Sequence, residues 1–353
     1  MTAVHQFHPV LAPGDAMSDH VFALRERFQE WGYESEAYAV ETKPGLAVEA
    51  RSYRELFRKV QPDDTLLLHY SRGHEVFDEL VKLPARRVLM YHNVTPAEFF
   101  IGINPHSAAH ARLGERQLAR LAPAIDLGVG VSEFNRRALD AAGYEKTAAV
   151  PILIDWSRLD AEPDPEVRAL LAGIHSKLLF VGRISPNKRQ DELIRMLAYY
   201  RRCIDPEALL VLVGGHRDQP QYFARLRALA DAVGLGGAVR FTGAVSQAQL
   251  VGYYRAASCF ISLSEHEGFG VPLLEAMYMG LPVVALDAAA VGETVGGAGV
   301  LLPEKDLAQA AEACALVTED LGWRAALIDA GHARVKAFDP EAIAARTKTV
   351  LGL

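Results

Sequence analysis

The chain has 353 residues, of which half are apolar and 23% are charged, and its formal net charge is −7. This length predicts two domains of about 150–200 residues, each with an ordinary hydrophobic core. A negative net charge differs from the basic charge typical of nucleic-acid-binding proteins, so nucleic acid is not an expected partner.

The three cysteines, Cys203, Cys259 and Cys314, are widely spaced and form no CxxC pair. Neither a disulfide framework nor a zinc site is expected, and a reducing cytoplasm is the predicted location. The amino terminus lacks the charged start and long apolar core of a signal peptide. The sequence has no uninterrupted apolar stretch of about 20 residues, so no membrane span is expected. Peripheral contact with the inner face of a membrane stays open.

In the first half of the chain, short β-rich runs alternate with amphipathic stretches. Strands are predicted near Ala3–Val10, Glu34–Val40, Thr65–Tyr70, Arg86–His92 and Leu127–Ser132. Helices are predicted near Ser18–Trp31, Tyr53–Val60, Ala108–Leu121 and Glu133–Ala142. This alternation is typical of parallel sheets covered by helices on both faces.

The second half repeats the pattern. Strands are predicted near Lys177–Val181, Leu209–Val213, Val239–Thr242, Cys259–Leu263 and Pro282–Leu286. Helices are predicted near Lys188–Arg202, Pro220–Val233, Ser246–Ala256 and Pro272–Met279, with a last one in Pro340–Leu353. Because strands such as LLFVG and LLVLVGG are nearly continuous apolar runs, we expect them to be buried on both faces.

An acidic, proline-bearing stretch, Pro151–Pro165, interrupts the alternation and is interpreted as a linker. The sequence therefore predicts an α/β protein with two doubly wound, Rossmann-like domains, residues 1–153 and 154–338, followed by a helix in residues 339–353. Ligands of such folds bind beyond the carboxyl ends of the strands, so the loops that follow the strands are the candidate sites.

The most informative of these loops lies in residues 261–286, ISLSEHEGFGVPLLEAMYMGLPVVAL. A buried strand is followed by a glycine-rich turn and by a helix that opens with Pro272. Gly268 and Gly270 allow close approach of the backbone to a ligand, and the amides at the helix start favour an anion. Glu275 has apolar neighbours and needs a hydrogen-bonding partner, which a ligand's hydroxyls would provide; the alternative is that the acidic residues face water, which is our interpretation of Glu265.

Three other loops carry candidate residues. Arg183 and Lys188 follow a strand in LLFVGRISPNKRQDELI, where two cations suit a diphosphate, although a solvated loop is the alternative. Gly14, before Asp15, joins a strand to a helix. A glycine there permits close backbone contact with phosphate or sugar, and the alternative is an ordinary turn glycine without a ligand. His92 ends the strand RRVLMYH, and the alternative is a structural histidine; His69, which ends LLLHY, is a weaker candidate for the acceptor side.

The segment from Glu267 onwards resembles the retaining glycosyltransferases of GT-B architecture, the large mannosyl- and glucosyltransferase family. Their signature is two glutamates separated by seven residues, which stands here as Glu267–GFGVPLL–Glu275 followed by AMYMGLPVV. The resemblance implies retaining transfer of a hexose-type sugar from a nucleotide-diphosphate donor to a hydroxyl of a glycan, glycolipid or small-molecule acceptor. It implies a cleft between the two domains, no metal, and no cofactor apart from the nucleotide-sugar co-substrate.

The same resemblance implies roles for individual residues. Glu267, His92, Arg183 and Lys188 would be catalytic, with Glu267 facing the donor sugar and the two cations binding the diphosphate in a GR-x4-K element. Glu275 would hold the ribose hydroxyls. The implied donor-binding set is Gly14, Asp15, Arg183, Lys188, Val245, Glu267, Phe269, Gly270, Val271 and Glu275. The terminal helix in residues 339–353 would pack back on the first domain.

Other functions are weighed against this one. Two carboxylates also suit a glycosidase, but a hydrolase has no use for a diphosphate clamp. A non-catalytic GT-B relative that binds sugar or a partner glycosyltransferase is the main alternative. A basic face with Arg112, Arg116 and Arg120 is interpreted either as solvated or as a contact with anionic lipid. The donor sugar, the base, the acceptor and the oligomeric state stay open.

Overall fold

A computed structural model describes residues 2–44 and 50–353. The chain divides into two compact units. The first consists of Met1–Ile101, Pro105–Asp155 and Phe338–Leu353, and the second of Gly102–Asn104 and Trp156–Ala337. The chain leaves the first unit after Asp155, within the acidic, proline-bearing stretch.

The first unit is built on a parallel sheet. Within the described residues its strands are β1 (Val4–Leu11), β2 (Ala37–Thr42), β3 (Ala50–Ser52), β4 (Thr65–Tyr70), β5 (Arg86–Tyr91), β6 (Leu127–Gly130) and β7 (Thr147–Ala149). They lie in the order β3-β2-β1-β4-β5-β6-β7, so the direction of winding reverses between β1 and β4. Every residue of β4 is buried, which explains the continuous apolar run in its sequence.

Helices connect these strands. They are α1 (Ala16–Glu30), α2 (Leu56–Lys59), α3 (Val76–Leu80), α4 (Pro105–Leu121) and α5 (Glu133–Ala141). Helix α5 lies close to the sheet because Gly130 ends β6: a Cβ atom there would be 2.3 Å from the backbone nitrogen of Arg136. The glycine is therefore required for this helix–strand contact.

The second unit has its own parallel sheet. Its strands in the described chain are β8 (Lys177–Val181), β9 (Leu209–Val213), β10 (Val239–Gly243), β11 (Cys259–Ser262), β12 (Val283–Leu286) and β13 (Val300–Leu302). The order is β10-β9-β8-β11-β12-β13, so here the winding reverses between β8 and β11. Its helices are α6 (Pro165–Leu170), α7 (Gln190–Cys203), α8 (Pro220–Ala232), α9 (Gln247–Ala256), α10 (Val271–Tyr278), α11 (Val291–Val295), α12 (Leu307–Glu319) and α13 (Leu321–Val335).

The last helix, α14 (Pro340–Leu351), belongs to the first unit. Arg27 of α1 forms an ion pair with Glu341 at 2.5 Å. The ammonium of Lys348 lies 5.1 Å from the centre of the Trp31 ring, and the guanidinium of Arg86 donates to the carbonyl of Leu351. Charged and aromatic contacts thus accompany the burial of its apolar residues.

The two parallel sheets confirm the predicted α/β fold class. The ten predicted strands are present, and the described chain adds β3, β7 and β13, each of three residues and therefore too short for a periodic pattern. The helix predicted near 53–60 is confirmed in position, but its first turn, Tyr53–Glu55, is a 3-10 helix and only Leu56–Lys59 are α-helical. In the described chain, membrane-spanning length and apolarity do not occur together in any helix.

Candidate functional site

In the second unit, the candidate residues cluster at the carboxyl ends of β8 and β11, where the direction of winding reverses. Doubly wound sheets bind ligands at this point because the loops on its two sides turn away from each other. The loop after β8 contains Arg183 and Lys188, and the loop after β11 contains Glu267. Two regions far apart in the sequence therefore meet at one edge of the sheet.

Hydrogen bonds hold these two loops together. The buried amide side chain of Asn187 donates to the carbonyl of His266 at 3.0 Å, and the amide of Glu265 donates to the carbonyl of Asn187 at 2.9 Å. The side chain of Gln190 ties the carbonyl of Arg183 to the start of α7 at 3.0 Å. The loop backbones are thus fixed by buried polar groups, which rigidifies a site before a ligand arrives.

The structure brings Lys188 and Glu267 into direct contact. The ammonium nitrogen of Lys188 lies 2.5 Å from Oε2 of Glu267, with side chains 21% and 13% exposed. Arg183, which follows the same strand as Lys188, is exposed, and its side chain makes no hydrogen bond or ion pair with other described residues. One of the two cations is therefore held by a carboxylate, and the other is exposed to solvent.

Glu275 lies on α10 with only 4% of its surface exposed. Its Oε2 atom accepts from the hydroxyl of Tyr254 at 2.8 Å, and its Oε1 atom pairs with the guanidinium of Arg158. The protein itself thus supplies the hydrogen-bonding partners for which the sequence suggested a ligand. Each carboxylate oxygen has a further lone pair, so the group keeps its capacity to accept from hydroxyls.

The neighbouring residues frame the start of α10. Gly270 is its N-cap with φ 95°, a left-handed conformation that suits glycine. The side chains of Phe269 and Val271 are buried, so any contact with a ligand would come from their backbone. Thr294 fixes the turn by donating to the carbonyl of Phe269 at 2.5 Å.

Two further residues have surroundings that differ from a plain solvated loop. Glu265 pairs with Arg189 at 2.8 Å and with Lys305. Arg189 also pairs with Asp191 at 3.1 Å, so it belongs to an ion-pair network rather than to open solvent.

Val245 is half-buried in the loop between β10 and α9, directly before the capping residue of that helix.

In the first unit, Gly14 and Asp15 join β1 to α1. Gly14 has φ 67° and open space where a Cβ would lie. The carboxylate of Asp15 caps α1 by accepting from the amide of Ser18 at 3.3 Å and from its hydroxyl at 3.1 Å. The helix begins at Ala16, directly after this capping residue.

His92 follows β5 and contacts His69 on β4. The Nε2 atom of His92 lies 2.9 Å from Nδ1 of His69, and the two rings stack with centres 5.2 Å apart. Nε2 of His69 lies 2.9 Å from the side-chain oxygen of Gln6 on β1. Burial holds the pKa values of His69 and His92 well below the usual value of histidine.

His20 lies against both of these rings. Its ring centre is 5.9 Å from that of His69 and 5.7 Å from that of His92. These contacts were missed from the sequence because Gln6, His20, His69 and His92 are isolated residues on four elements. The signal that was present is the position of Gln6 and His69 in apolar strands, where a polar side chain needs a partner. In the described chain, no group of three or more histidine, cysteine or acidic residues is arranged to hold a metal ion.

Residues 171–334 match the family model described as "Glycosyl transferases group 1". This range lies within the second unit, whose sheet and loops form the cluster around Lys188 and Glu267. The match covers less than half of the chain and does not include the first unit.

Two curated relatives illustrate the sequence similarity. A GDP-mannose-dependent α-(1-6)-phosphatidylinositol monomannoside mannosyltransferase of Mycobacterium tuberculosis is 29% identical over 62% of this chain and 60% of its own length. A D-inositol 3-phosphate glycosyltransferase of Streptosporangium roseum is 34% identical over 49% of this chain and 41% of its own length. The chain thus aligns with only about half of these relatives' lengths.

Solved structures resemble the whole chain in fold. Sucrose-phosphate synthase of Thermosynechococcus elongatus has a TM-score of 0.78 at 20% identity and covers 99% of this chain and 98% of its own. Anabaena Alr3699/HepE, in complex with UDP-glucose, has a TM-score of 0.79 at 19% identity with complete coverage of both chains. The architecture is therefore GT-B, with two Rossmann-like domains.

Proposed function

We propose that the chain is a glycosyltransferase that moves a hexose-type sugar from a nucleotide-diphosphate donor to a hydroxyl of a glycan, glycolipid or small-molecule acceptor. The observation that carries the proposal is the Lys188–Glu267 pair at the switch point of the second sheet. The match of residues 171–334 to group 1 glycosyl transferases supports it. The nucleotide sugars named for similar proteins, GDP-mannose and UDP-glucose, support a donor of this class.

The charges of the cluster fit such a donor. A diphosphate carries negative charge that increases as it departs, and Arg183 and Lys188 supply two cations beside the loop that carries Glu267. Because Lys188 is already held by Glu267, its ammonium is in place before the donor binds. Glu275 has oxygen lone pairs for the ribose hydroxyls, and the amides near Gly270 add dipoles that favour an anion.

The transfer itself breaks the bond between the anomeric carbon and the diphosphate oxygen, and it forms a bond to the acceptor oxygen on the same face of the sugar. The electron pair of the broken bond stays on the diphosphate, where Arg183 and Lys188 stabilise it. The acceptor hydroxyl passes its proton to an oxygen of the departing diphosphate as the new bond forms. We assign Glu267 and His92 to contacts with the donor sugar, and the two cations to the task that a divalent metal performs in other transferases.

The first experiment is a thermal-shift screen with UDP, GDP, ADP and dTDP, each in EDTA and again with Mg²⁺. A nucleotide at a hundredfold its dissociation constant adds about 2.7 kcal/mol of stability. We expect one nucleotide to raise the midpoint in EDTA, and Arg183→Ala to abolish the effect. Arg202→Ala is the matched control, because Arg202 is an exposed arginine at the far end of α7.

The nucleotide that responds defines the sugar donors for a transfer assay, in which the anomeric configuration of the product is read by NMR. Product with the donor's configuration supports retention, and inversion contradicts it. A response only in Mg²⁺ would contradict metal independence. Binding of a nucleotide without product from any of its sugars would favour the alternative, a non-catalytic relative that binds sugar or a partner glycosyltransferase.

A further inference from the structure

A chain of hydrogen bonds in the first unit begins at a group whose role is fixed. The carbonyl oxygen of Val21 is an acceptor only, and the side-chain nitrogen of Gln6 lies 2.9 Å from it. The amide of Gln6 must therefore point its NH₂ group at Val21 and its oxygen away. That oxygen lies 2.9 Å from Nε2 of His69, so this ring nitrogen must carry a proton and donate.

The next step follows from the chemistry of a neutral imidazole, which has one N–H and one acceptor nitrogen. With its proton on Nε2, His69 presents Nδ1 as an acceptor. Nε2 of His92, 2.9 Å away, must then carry the proton that completes this bond. The proton of His92 is thereby fixed on Nε2, and its Nδ1 atom is left with a free lone pair.

The opposite arrangement would require a second proton on His69, which would then donate to His92. The ring of His69 is fully buried, and burial holds its pKa well below the usual histidine value. The titratable side chains that act on it are His92, His20 and His8, and a charge on any of them would lower its pKa further. No carboxylate compensates a cation at this position in the described chain, so the neutral form is the stable one.

The Nδ1 atom of His92 is buried and has no hydrogen-bond partner among the described residues. A buried acceptor without a partner costs free energy unless a ligand satisfies it. His92 also follows the carboxyl end of β5, the edge at which ligands of parallel sheets bind. The free lone pair is therefore at a ligand-binding edge.

We propose that Gln6 and His69 are positioning residues that hold His92 in its Nε2-protonated tautomer, so that its Nδ1 atom accepts a hydrogen bond from a hydroxyl of the sugar substrate. The inference rests on the proposed function for the identity of that ligand. A neutral imidazole with a free lone pair binds a hydroxyl donor. An imidazolium, by contrast, would attract phosphate.

The tautomer is measured directly by long-range ¹H–¹⁵N correlation of the histidine rings in the wild-type protein without ligand. Expected are neutral rings with the proton on Nε2 for both His69 and His92. A proton on Nδ1 of His92, or a cationic ring at pH 7, would overturn the proposal. This measurement does not need activity, so it separates failure of the tautomer assignment from failure of the transferase proposal.

Two substitutions at position 69 then test the consequence. His69→Asn keeps an oxygen acceptor near the position of Nδ1, whereas His69→Leu removes it. We expect His92 to remain Nε2-protonated in His69→Asn and to become a mixture of tautomers in His69→Leu. With a nucleotide sugar that supports transfer, kcat/KM should fall about tenfold more in His69→Leu, which is the effect of one hydrogen bond, while binding of the nucleoside diphosphate alone stays unchanged.

Equal losses in the two variants with unchanged ring spectra would contradict the positioning role. If His69→Leu does not fold, the ring spectrum of His69→Asn decides. Loss of the Nε2-protonated form of His92 in that variant would also contradict the positioning role. Addition of the nucleotide sugar, or of the acceptor that the assay identifies, should shift the Nδ1 resonance of His92. Absence of that shift under saturation with both substrates would overturn the assignment of the hydroxyl.

Discussion

Acid should destabilise the first unit through His20. This residue is completely buried in α1, where its Nδ1 atom accepts from the amide of Leu153 at 2.9 Å. Its Nε2 atom lies 3.2 Å from the sulfur of Met90. Burial lowers the pKa of His20 from 6.5 to about 4, because the charged ring would lose its hydration. The folded protein therefore binds this proton much less readily than the unfolded chain.

The sign and size of this pH effect on stability follow from the difference between the pKa of His20 in the folded and the unfolded protein. Between pH 6.5 and 4 the unfolded chain carries the proton and the folded protein does not, so stability is complete above pH 6.5 and falls as the pH falls. For a pKa of about 4, the loss is about 2 kcal/mol at pH 5 and approaches about 3 kcal/mol near pH 4. His69 and His92 have lowered pKa values and add to the loss in the same direction.

The assay compares the wild-type protein with His20→Asn, which keeps an acceptor for the Leu153 amide and does not titrate. Trp31 lies in the first unit and Trp156 and Trp323 in the second, so both proteins carry Trp156→Phe and Trp323→Phe. Urea unfolding followed by Trp31 fluorescence then reports the first unit at pH 8 and pH 5. We expect the stability difference between the two proteins to change by about 2 kcal/mol between these pH values.

Because a charged His20 lowers the pKa values of His69 and His92, the difference reports the titration of His20 together with its coupling to these two rings. A constant packing loss in His20→Asn cancels, because only the change with pH is compared. Parallel pH dependences of the two proteins would refute the reasoning, since they would mean that His20 binds protons equally in the folded and unfolded states.

Three other substitutions give sharp expectations. Arg158→Met should lower the free energy of unfolding of the second unit by roughly 2–4 kcal/mol in urea, because the buried carboxylate of Glu275 loses its cation, whereas Arg158→Lys should lose less. Gly130→Ala should lower the free energy of unfolding of the first unit by more than about 3 kcal/mol, because its Cβ would meet backbone at 2.3 Å. Gly237→Ala in the second unit, where a Cβ would have open space, should leave the stability of that unit nearly unchanged. Glu267→Gln should bind the nucleoside diphosphate at least as tightly as wild type by calorimetry, because a negative charge that contacts Lys188 is removed from the site of the anionic diphosphate. It should transfer the sugar at least a hundredfold more slowly, and equal loss of binding and transfer would contradict the assigned roles.

The alternation of strands and helices was readable from the sequence because buried parallel strands are apolar on both faces. The runs LLLHY, LLFVG and LLVLVGG correspond to β4, β8 and β9, and Pro272 and Gly280 mark the ends of α10 correctly. The edge strands β3, β7 and β13 were not readable, because three residues carry no period. The 3-10 conformation of Tyr53–Glu55 was not readable for a related reason, since so short a segment owes its conformation to packing rather than to local propensity.

The candidate site divides in the same way. The glycine-rich turn and the two glutamates are contiguous in sequence, so their strand–turn–helix setting was predictable from residues 261–286 alone. The partners of these glutamates were not predictable. Lys188 is 79 residues from Glu267, and Arg158 is 117 residues from Glu275.

The sequence by itself determined the fold class, the order of most elements and the candidate loops that follow the strands, because these depend on local hydrophobic periods and turn residues. Only the tertiary structure decided which charges neutralise each other and which buried polar side chains contact one another. The Lys188–Glu267 pair and the bonds from Gln6 through His69 to His92 join elements that the parallel sheets bring side by side. Such contacts depend on strand order, and strand order is a property of the assembled sheet that no local pattern records.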